Sequence, residues 1–161
     1  MSKGRLEGRH IGIACGGTGG HFFPTLAIAD VWQQQGGVVT LLVSGHHAAD
    51  HLRLARERGF AARELPAPRF SKSPAFVVGM AQAILAGRRV VKELSPDVFL
   101  GMGSFASVPA CLAAVWCRVP LCLHESNAWM GRANRLLSRW AVHAGIGLPL
   151  EEKCPCRCSQ T

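Results

Sequence analysis

The segment that decides the fold is Ile11–Gln35, which reads IGIACGGTGGHFFPTLAIADVWQQQ. An apolar run over Ile11–Ala14 is followed by the glycine-rich stretch CGGTGGHFFP over Cys15–Pro24, and then by a segment of helical character. This order predicts a β-strand, a glycine loop and an α-helix from about Pro24, because proline suits the first helical turn. Such a junction can bind anions, since unpaired N–H groups and the positive end of the helix dipole face outward.

The rest of the chain repeats this alternation of apolar runs and helical segments. Strands are predicted over residues 38–44, 60–66, 98–102, 120–125 and 141–147, and helices over 48–58, 74–94, 108–116 and 130–140. Strands that are apolar on both faces and alternate with helices predict an α/β domain with a Rossmann-like, doubly wound parallel sheet covered by helices on both faces. Ligands bind beyond the carboxyl ends of such strands. We therefore expect three loops to converge there: Gly16–His21, Gly101–Ser107 and His124–Asn127.

The composition narrows the class of partner. A chain of 161 residues suits one domain, and its net charge of +8 favours anionic partners. Without an unbroken apolar run of about 18 residues, we expect no membrane-spanning helix and no secretory signal. The seven cysteines are an odd number, which argues against a disulfide framework. Four of them are predicted to be small core residues: Cys15, Cys111, Cys117 and Cys122.

Several familiar sites can be weighed against the glycine loop. The dinucleotide fingerprint fails because its third glycine would fall at Phe22, and a P-loop fails because no lysine follows the glycines. A turn that merely allows close helix–strand packing stays open beside an anion site for another pyrophosphate. No metal site, cofactor or nucleic-acid partner is predicted. The alternating Cys154, Cys156 and Cys158 do not have zinc-site spacing, and His46, His47 and His51 are interpreted as surface histidines.

Three longer segments carry a resemblance to a known family. GGTGGHFFPTLAIA (residues 16–29), PDVFLGMGSFASVPACLAA (96–114) and VPLCLHESNAWMGRANRLLS (119–138) resemble the N-terminal half of the MurG family, which belongs to glycosyltransferase family 28 and has the two-domain GT-B architecture. The resemblance implies metal-independent, inverting transfer of N-acetylglucosamine from UDP-N-acetylglucosamine to undecaprenyl-pyrophosphoryl-N-acetylmuramyl-pentapeptide in peptidoglycan synthesis. The N-terminal domain would hold the lipid-linked acceptor, and the C-terminal domain most of the donor.

The same resemblance implies roles for individual residues. His21 and Glu125 are the catalytic candidates, and an imidazole can take up a proton near neutral pH, but which of the two is the base stays open. Substrate contacts are expected at Gly17, Thr18, Gly19, Gly20, Gly103, Ser104 and Asn127. The chain departs from the family at Gly103-Ser104-Phe105, where Gly-Gly-Tyr is usual. Ser104 cannot adopt a positive φ as cheaply as glycine.

The domain organisation is predicted in three parts. Residues 1–9 form an N-terminal extension, residues 10–147 the acceptor-binding domain, and residues 148–161 a disordered or aberrant tail. The donor domain is absent from these 161 residues, so we expect no activity without a donor half, which a separate chain could supply. The alternative is a non-catalytic Rossmann-like module that binds a lipid pyrophosphate or a membrane. A nucleotide-binding oxidoreductase is disfavoured by the failed fingerprint.

A basic and apolar flank predicts a membrane-facing surface. In the helix over residues 74–94, helical spacing directs Val77, Met80, Ile84, Gly87, Val91 and Leu94 toward the sheet. The predicted membrane-contact residues are Phe70, Lys72, Phe76, Leu85, Arg88, Arg89 and Lys92. They favour peripheral attachment to an anionic membrane. The resemblance implies that this membrane is the bacterial inner membrane, approached from its cytoplasmic face. A solvated basic face is the alternative.

Overall fold

The computed structural model describes residues 5–17, 19–69, 71–151, 154–156 and 158–160. Strands and helices alternate along nearly the whole described chain. The strands are β1 His10–Gly16, β2 Val38–Ser44, β3 Ala61–Glu64, β4 Val98–Gly101, β5 Leu121–Glu125, β6 Ala141–Ile146 and β7 Cys158–Gln160. The helices are α1 Gly19–Gln34, α2 Ala48–Glu57, α3 Pro74–Leu94, α4 Val108–Trp116 and α5 Arg132–Leu137, with a 3-10 turn at Phe105–Ser107 before α4.

The strands form one parallel sheet in the order β3-β2-β1-β4-β5-β6-β7. The central strand β1 pairs with β2 on one side and β4 on the other, so that Ile13 lies opposite both Leu41 and Leu100. Since the strand order reverses between β1 and β4, the loops after these two strands flank a crevice at the carboxyl edge. The predicted parallel, doubly wound sheet is confirmed.

Each face of the sheet has its own hydrophobic core. On one face, Phe22 and Leu26 of α1 and Leu52 of α2 pack against Ile13 and neighbouring strand residues. On the other face, the core comprises residues of α3, α4 and α5, including Val91, Ala113 and Leu137. There α3 and α4 approach closely at Gly87, which has no side chain. A Cβ on Gly87 would lie 3.1 Å from the Ala113 Cβ. Helices therefore cover both faces of the sheet.

The first helix begins five residues earlier than the sequence indicates. The prediction of a start near Pro24 is wrong, since α1 begins at Gly19 and Pro24 lies inside it. Glycine has a low helix propensity, so a sequence pattern does not indicate that the helix begins at the pair Gly19-Gly20. Pro24 leaves the carbonyl of Gly20 without its helical donor, a defect confined to the beginning of the helix. As a result, His21 belongs to the first helical turn and not to a loop.

The long helix α3 is only partly covered. The prediction that Val77 faces the sheet is wrong, because its side chain is 66% exposed. Burial is confined to the second half, at Ala83, Gly87 and Val91. By length and composition alone, α3 could cross a membrane, with a mean hydropathy of 1.2 over an 18-residue window. The search for an unbroken apolar run does not find α3, because polar residues interrupt its sequence.

The C-terminal segment contains a strand that patterning does not foresee. Within residues 148–161, for which the sequence predicts a disordered or aberrant tail, Cys158–Gln160 form β7 and pair in parallel with β6. Just before it, Cys154 and Cys156 pack against the core beside β6, with their Sγ atoms 3.7 Å apart. The core assignment of the other four cysteines is confirmed, since Cys15 and Cys111 are buried and Cys117 and Cys122 partly so.

Candidate functional site

The glycine loop after β1 and the loop after β4 touch at the crevice. A Cβ on Gly17 would lie 2.7 Å from the Oγ of Ser104. Gly17 has φ +82° and Gly103 has φ +84°, which favours glycine at both positions. The loops can approach this closely because Gly17 has no side chain that would collide with Ser104.

A cavity of about 510 Å³ opens beside this contact. The three loops that the sequence predicts to converge all contribute to its wall. The lining residues are His21, Gly103, Ser104, Phe105, Glu125, Asn127, Gly131, Arg132, Ala133 and Asn134. Five of the nine predicted catalytic and substrate-binding residues thus surround one space.

The His21 side chain lies at the cavity wall in the first turn of α1. Its backbone carbonyl accepts a hydrogen bond from Thr25 Oγ1 at 2.8 Å. A Cβ on Gly103 would lie 3.3 Å from His21 Cε1, so glycine at position 103 leaves room for the ring. The Nδ1 atom is buried and has no hydrogen-bond partner in the described part of the chain. Because Nδ1 is buried, Nε2 is the ring nitrogen that can contact a molecule in the cavity.

The remaining glycine-loop residues are placed differently. Gly19 and Gly20 form the start of α1, where backbone N–H groups lack helical acceptors and can bind an anion. Gly17 lines a neighbouring cavity of about 300 Å³, together with His46, His47 and other residues. Thr18 lies outside the described residues.

The Glu125 carboxylate organises the loop after β5. It is 2% exposed and accepts four hydrogen bonds. The donors are the backbone N of Asn127 at 3.1 Å, Asn127 Nδ2 at 2.9 Å, the backbone N of Gly131 at 2.9 Å and Asn134 Nδ2 at 2.9 Å. Because hydrogen bonds to a carboxylate are roughly twice as strong as neutral ones, this loop is firmly held.

Ser104 adopts a conformation that is costly for a residue with a Cβ. Its φ is +66° and its ψ is 145°, close to a region that only glycine populates readily. Its Oγ accepts a hydrogen bond from the backbone N of Ala106 at 3.3 Å. The expectation that serine is a strained choice in this loop is confirmed.

Two further histidines lie near the site. Burial lowers the pKa of His124, and His21 lowers it further, whereas Glu125 acts in the opposite direction. The interpretation of His51 as a surface residue is wrong. Its ring is buried and stacks on Phe22 at a centroid distance of 4.0 Å, because that helical position faces α1 and not solvent. Burial is also the main cause that lowers the pKa of His51.

The predicted membrane-contact residues lie along and before α3. Lys72, Leu85, Arg89 and Lys92 are exposed. Arg88 is half-buried, with its guanidinium 4.9 Å from the centre of the Trp116 ring, and Phe76 is half-buried with its ring 5.9 Å from that of Phe105. Phe70 lies outside the described residues.

The sequence interpretation missed the buried polar residue of α5. Asn134 is 2% exposed and lines the cavity, where its Nδ2 also donates to the backbone carbonyl of His124 at 2.9 Å. One signal was present in the sequence, since Asn134 and Leu137 lie three residues apart on what proves to be the buried side of α5. A polar residue on a buried helical face needs partners, which points to the site.

Comparison with known proteins identifies relatives for most of the chain. Residues 11–146 match the model of the glycosyltransferase family 28 N-terminal domain. A protein of Acidithiobacillus ferrooxidans (strain ATCC 53993 / BNL-5-31) is 39% identical over 145 residues, which cover 85% of this chain and 39% of the relative. A protein of Shewanella sp. (strain W3-18-1) is 41% identical over 152 residues, with 84% and 38% covered. Both are named UDP-N-acetylglucosamine–N-acetylmuramyl-(pentapeptide) pyrophosphoryl-undecaprenol N-acetylglucosamine transferase.

Solved structures share the architecture. The crystal structure of Acinetobacter baumannii MurG matches with a TM-score of 0.82 and 27% identity, over 95% of this chain and 45% of that one. The UDP-GlcNAc 2-epimerase of Neisseria meningitidis bound to UDP-GlcNAc matches with a TM-score of 0.65 and 13% identity, over 85% and 39%. The second likeness shows the fold alone. The chain spans about two-fifths of the length of these curated relatives.

Proposed function

Because the chain belongs to the glycosyltransferase family 28 N-terminal domain family, we propose that it is the acceptor-binding part of an N-acetylglucosaminyltransferase of peptidoglycan synthesis. The acceptor is undecaprenyl-pyrophosphoryl-N-acetylmuramyl-pentapeptide and the donor is UDP-N-acetylglucosamine, the substrates that appear in the names of its relatives. One observation carries this proposal. The cavity of about 510 Å³ at the sheet's crevice is lined by His21, which belongs to the first turn of α1.

The pyrophosphate of the acceptor binds at the start of α1. The N–H groups of Gly19 and Gly20 have no helical acceptors there, and the positive end of the helix dipole favours an anion. The absence of side chains at both positions lets phosphate oxygens approach the backbone. Gly103 and Ser104 close the opposite side, where their loop lines the cavity.

We assign the base to His21 and the holding of the loop to Glu125. Both side chains line the cavity, but the Glu125 carboxylate already accepts four hydrogen bonds within the protein, which leaves His21 as the base. His21 takes the proton of an acceptor hydroxyl, and the oxygen forms a bond to the anomeric carbon of the donor sugar. The bond from that carbon to the pyrophosphate oxygen breaks, and UDP leaves with the electron pair. Asn127, next to Glu125, binds substrate at the cavity mouth.

The donor nucleotide is held by residues outside this sequence. These residues lie in the same polypeptide or in a separate chain, and they would close over the carboxyl edge of the sheet. Transfer therefore requires both halves.

Attachment to the membrane uses the exposed face of α3. Val78 and Leu85 are 57% and 45% exposed, and Arg89 and Lys92 follow them on the same side of the helix. With Lys72, three basic residues contribute about 1 kcal/mol each at an anionic leaflet. Burial of a valine or leucine adds about 1.5–3 kcal/mol if complete. These contributions suffice for reversible, peripheral binding at the cytoplasmic face of the inner membrane.

A complementation assay tests the catalytic proposal. The chain is incubated with the acceptor lipid and UDP-N-acetylglucosamine, with and without the donor half of a related enzyme. We expect transfer only when the donor half is present, loss of transfer in His21→Gln, and normal transfer in His143→Gln, a control on β6. Binding of the acceptor without any transfer would instead favour a non-catalytic module that binds lipid pyrophosphate.

Sedimentation with liposomes tests the membrane proposal. Arg89→Glu combined with Lys92→Glu should release the chain from vesicles that contain anionic lipid. Arg53→Glu combined with Arg56→Glu on α2 makes the same change in net charge at another exposed surface, and should bind as the wild type does. Equal release of both double variants would show that only net charge matters, and would contradict a docking surface on α3.

A further inference from the structure

Two buried polar atoms at the site have no hydrogen-bond partner among the described residues, and the side chains that carry them both lie against Gly103. His21 Nδ1 and Asn134 Oδ1 are both inaccessible to solvent, and neither has a hydrogen-bond partner within the described residues. A Cβ on Gly103 would lie 3.4 Å from His21 Nδ1 and also 3.4 Å from Asn134 Nδ2. The imidazole and the amide therefore meet across Gly103. Buried polar atoms are nearly always paired, so two such atoms side by side require an explanation.

The orientation of the Asn134 amide is fixed by its other contacts. Its Nδ2 donates to the His124 carbonyl and to Glu125 Oε2, each at 2.9 Å. Since both neighbours are acceptors, the amide nitrogen must face them and the oxygen Oδ1 must face away. Asn134 can then only accept at its free end. Glu125 holds this arrangement, because its carboxylate is itself fixed by the backbone N–H groups of Asn127 and Gly131.

We propose that Asn134 is a positioning residue that accepts a hydrogen bond from His21 Nδ1–H and so leaves Nε2 unprotonated. A neutral imidazole carries its proton on one nitrogen, and the hydrogen bond made by that nitrogen decides which one. In this arrangement the His21 ring turns toward Oδ1, since the two Nδ2 bonds hold the Asn134 amide in place. Glu125, Asn134 and His21 then form a chain in which the carboxylate orients the amide and the amide selects the tautomer.

This arrangement gives the proposed base the form that it needs. Nε2 can accept a proton from a substrate hydroxyl only if the resting proton is on Nδ1. The catalytic meaning of the inference rests on the proposed function, but the tautomer itself does not. Glycine at position 103 is required for this arrangement, because a side chain there would separate the His21 ring from the Asn134 amide.

NMR of the histidine rings in the free chain tests this inference without any substrate. In ¹⁵N-labelled wild-type protein at a pH where His21 is neutral, we expect the Nδ1–H tautomer, with a protected Hδ1 proton and a nuclear Overhauser contact to the Asn134 side chain. The Nε2–H tautomer in the wild type, or no such contact, would overturn the proposal even if every variant failed to fold.

Two variants identify the acceptor. Asn134→Leu keeps the shape but removes the oxygen, and should move His21 to mainly the Nε2–H tautomer. Asn127→Leu removes the other amide bonded to Glu125 and should leave the Nδ1–H tautomer in place. An unchanged tautomer in folded Asn134→Leu would show that Asn134 is not the acceptor. Failure of the acceptor lipid to bind would count against the proposed function and would leave these spectra unaffected.

Discussion

The Ser104 hydroxyl occupies the space that a side chain on Gly17 would need. A Cβ at Gly17 would lie 2.7 Å from Ser104 Oγ, a separation that real Cβ atoms do not show. The contact joins the loop after β1 to the loop after β4, at the point where the strand order reverses. Substitution on either side of it should therefore alter both stability and binding.

Gly17→Ala should destabilise the protein more than a matched glycine substitution elsewhere. Gly59 has φ +81°, nearly the same as Gly17, but a Cβ there would meet nothing within 4 Å. Gly59→Ala should cost about 1–2 kcal/mol from the left-handed backbone alone. Gly17→Ala adds the collision with Ser104, so its loss in urea unfolding should be clearly larger. Equal losses would mean that the two loops do not constrain each other.

Ser104→Gly should stabilise the fold. The variant removes backbone strain of about 1–3 kcal/mol, against a few tenths for replacing the N-cap hydroxyl by glycine and about 0.5–1 kcal/mol of backbone entropy. The middle of these ranges is a net gain of about 1 kcal/mol, which should raise the melting temperature. Ser104→Ala keeps the strain and loses the bond to Ala106, so it should lower it. A lower melting temperature for Ser104→Gly would contradict the strain.

Glu125→Gln should loosen the loop after β5. The glutamine NH2 group would replace one of the two oxygens and would face two N–H donors, so their hydrogen bonds would be lost. The free energy of unfolding should fall by about 3 kcal/mol. Urea unfolding measures this loss, and amide exchange should become faster at Gly131, whose N–H bonds to Glu125. Glu57→Gln, on the exposed end of α2, should change stability by less than about 0.5 kcal/mol. An equally small effect of Glu125→Gln would refute its structural role.

The buried His51 should make the protein less stable in mild acid. Its pKa in the folded state lies below the unfolded value of about 6.5, mainly because of burial. As the pH falls below about 6.5, the unfolded chain binds the proton first, so the free energy of unfolding decreases. Urea unfolding at pH 7.5 and pH 5 measures the decrease.

A variant series separates His51 from the other histidines. His51→Phe keeps an aromatic ring against Phe22 and should reduce the loss between pH 7.5 and pH 5. Part of the decrease in the free energy of unfolding should remain in His51→Phe, because the pKa of His124 is lowered too. His46→Phe, on an exposed histidine, should keep the wild-type dependence. If His51→Phe behaved like wild type, burial of His51 would not be the cause.

The sequence predicts the sheet and the converging loops because both follow from local patterns. Apolar runs and glycine turns set the strands and their carboxyl ends, so the meeting of His21, Gly103 and Glu125 could be expected. The start of α1 could not be expected, since tertiary packing of residues such as Phe22 overcomes the low helix propensity of Gly19 and Gly20. The role of Asn134 depends on contacts with His124 and Glu125 of β5, ten and nine residues away, which no local pattern encodes.

In the proposed function, the crevice binds a sugar-linked lipid pyrophosphate. The most direct measurement is a two-dimensional NMR titration of the chain with a short-chain prenyl-pyrophosphoryl-N-acetylmuramyl-pentapeptide. We expect the amide signals of Gly19, Gly20 and Gly103 to shift, and N-acetylmuramyl-pentapeptide without the pyrophosphate to bind far more weakly. Shifts confined to other parts of the domain, or equal binding of both compounds, would contradict the account.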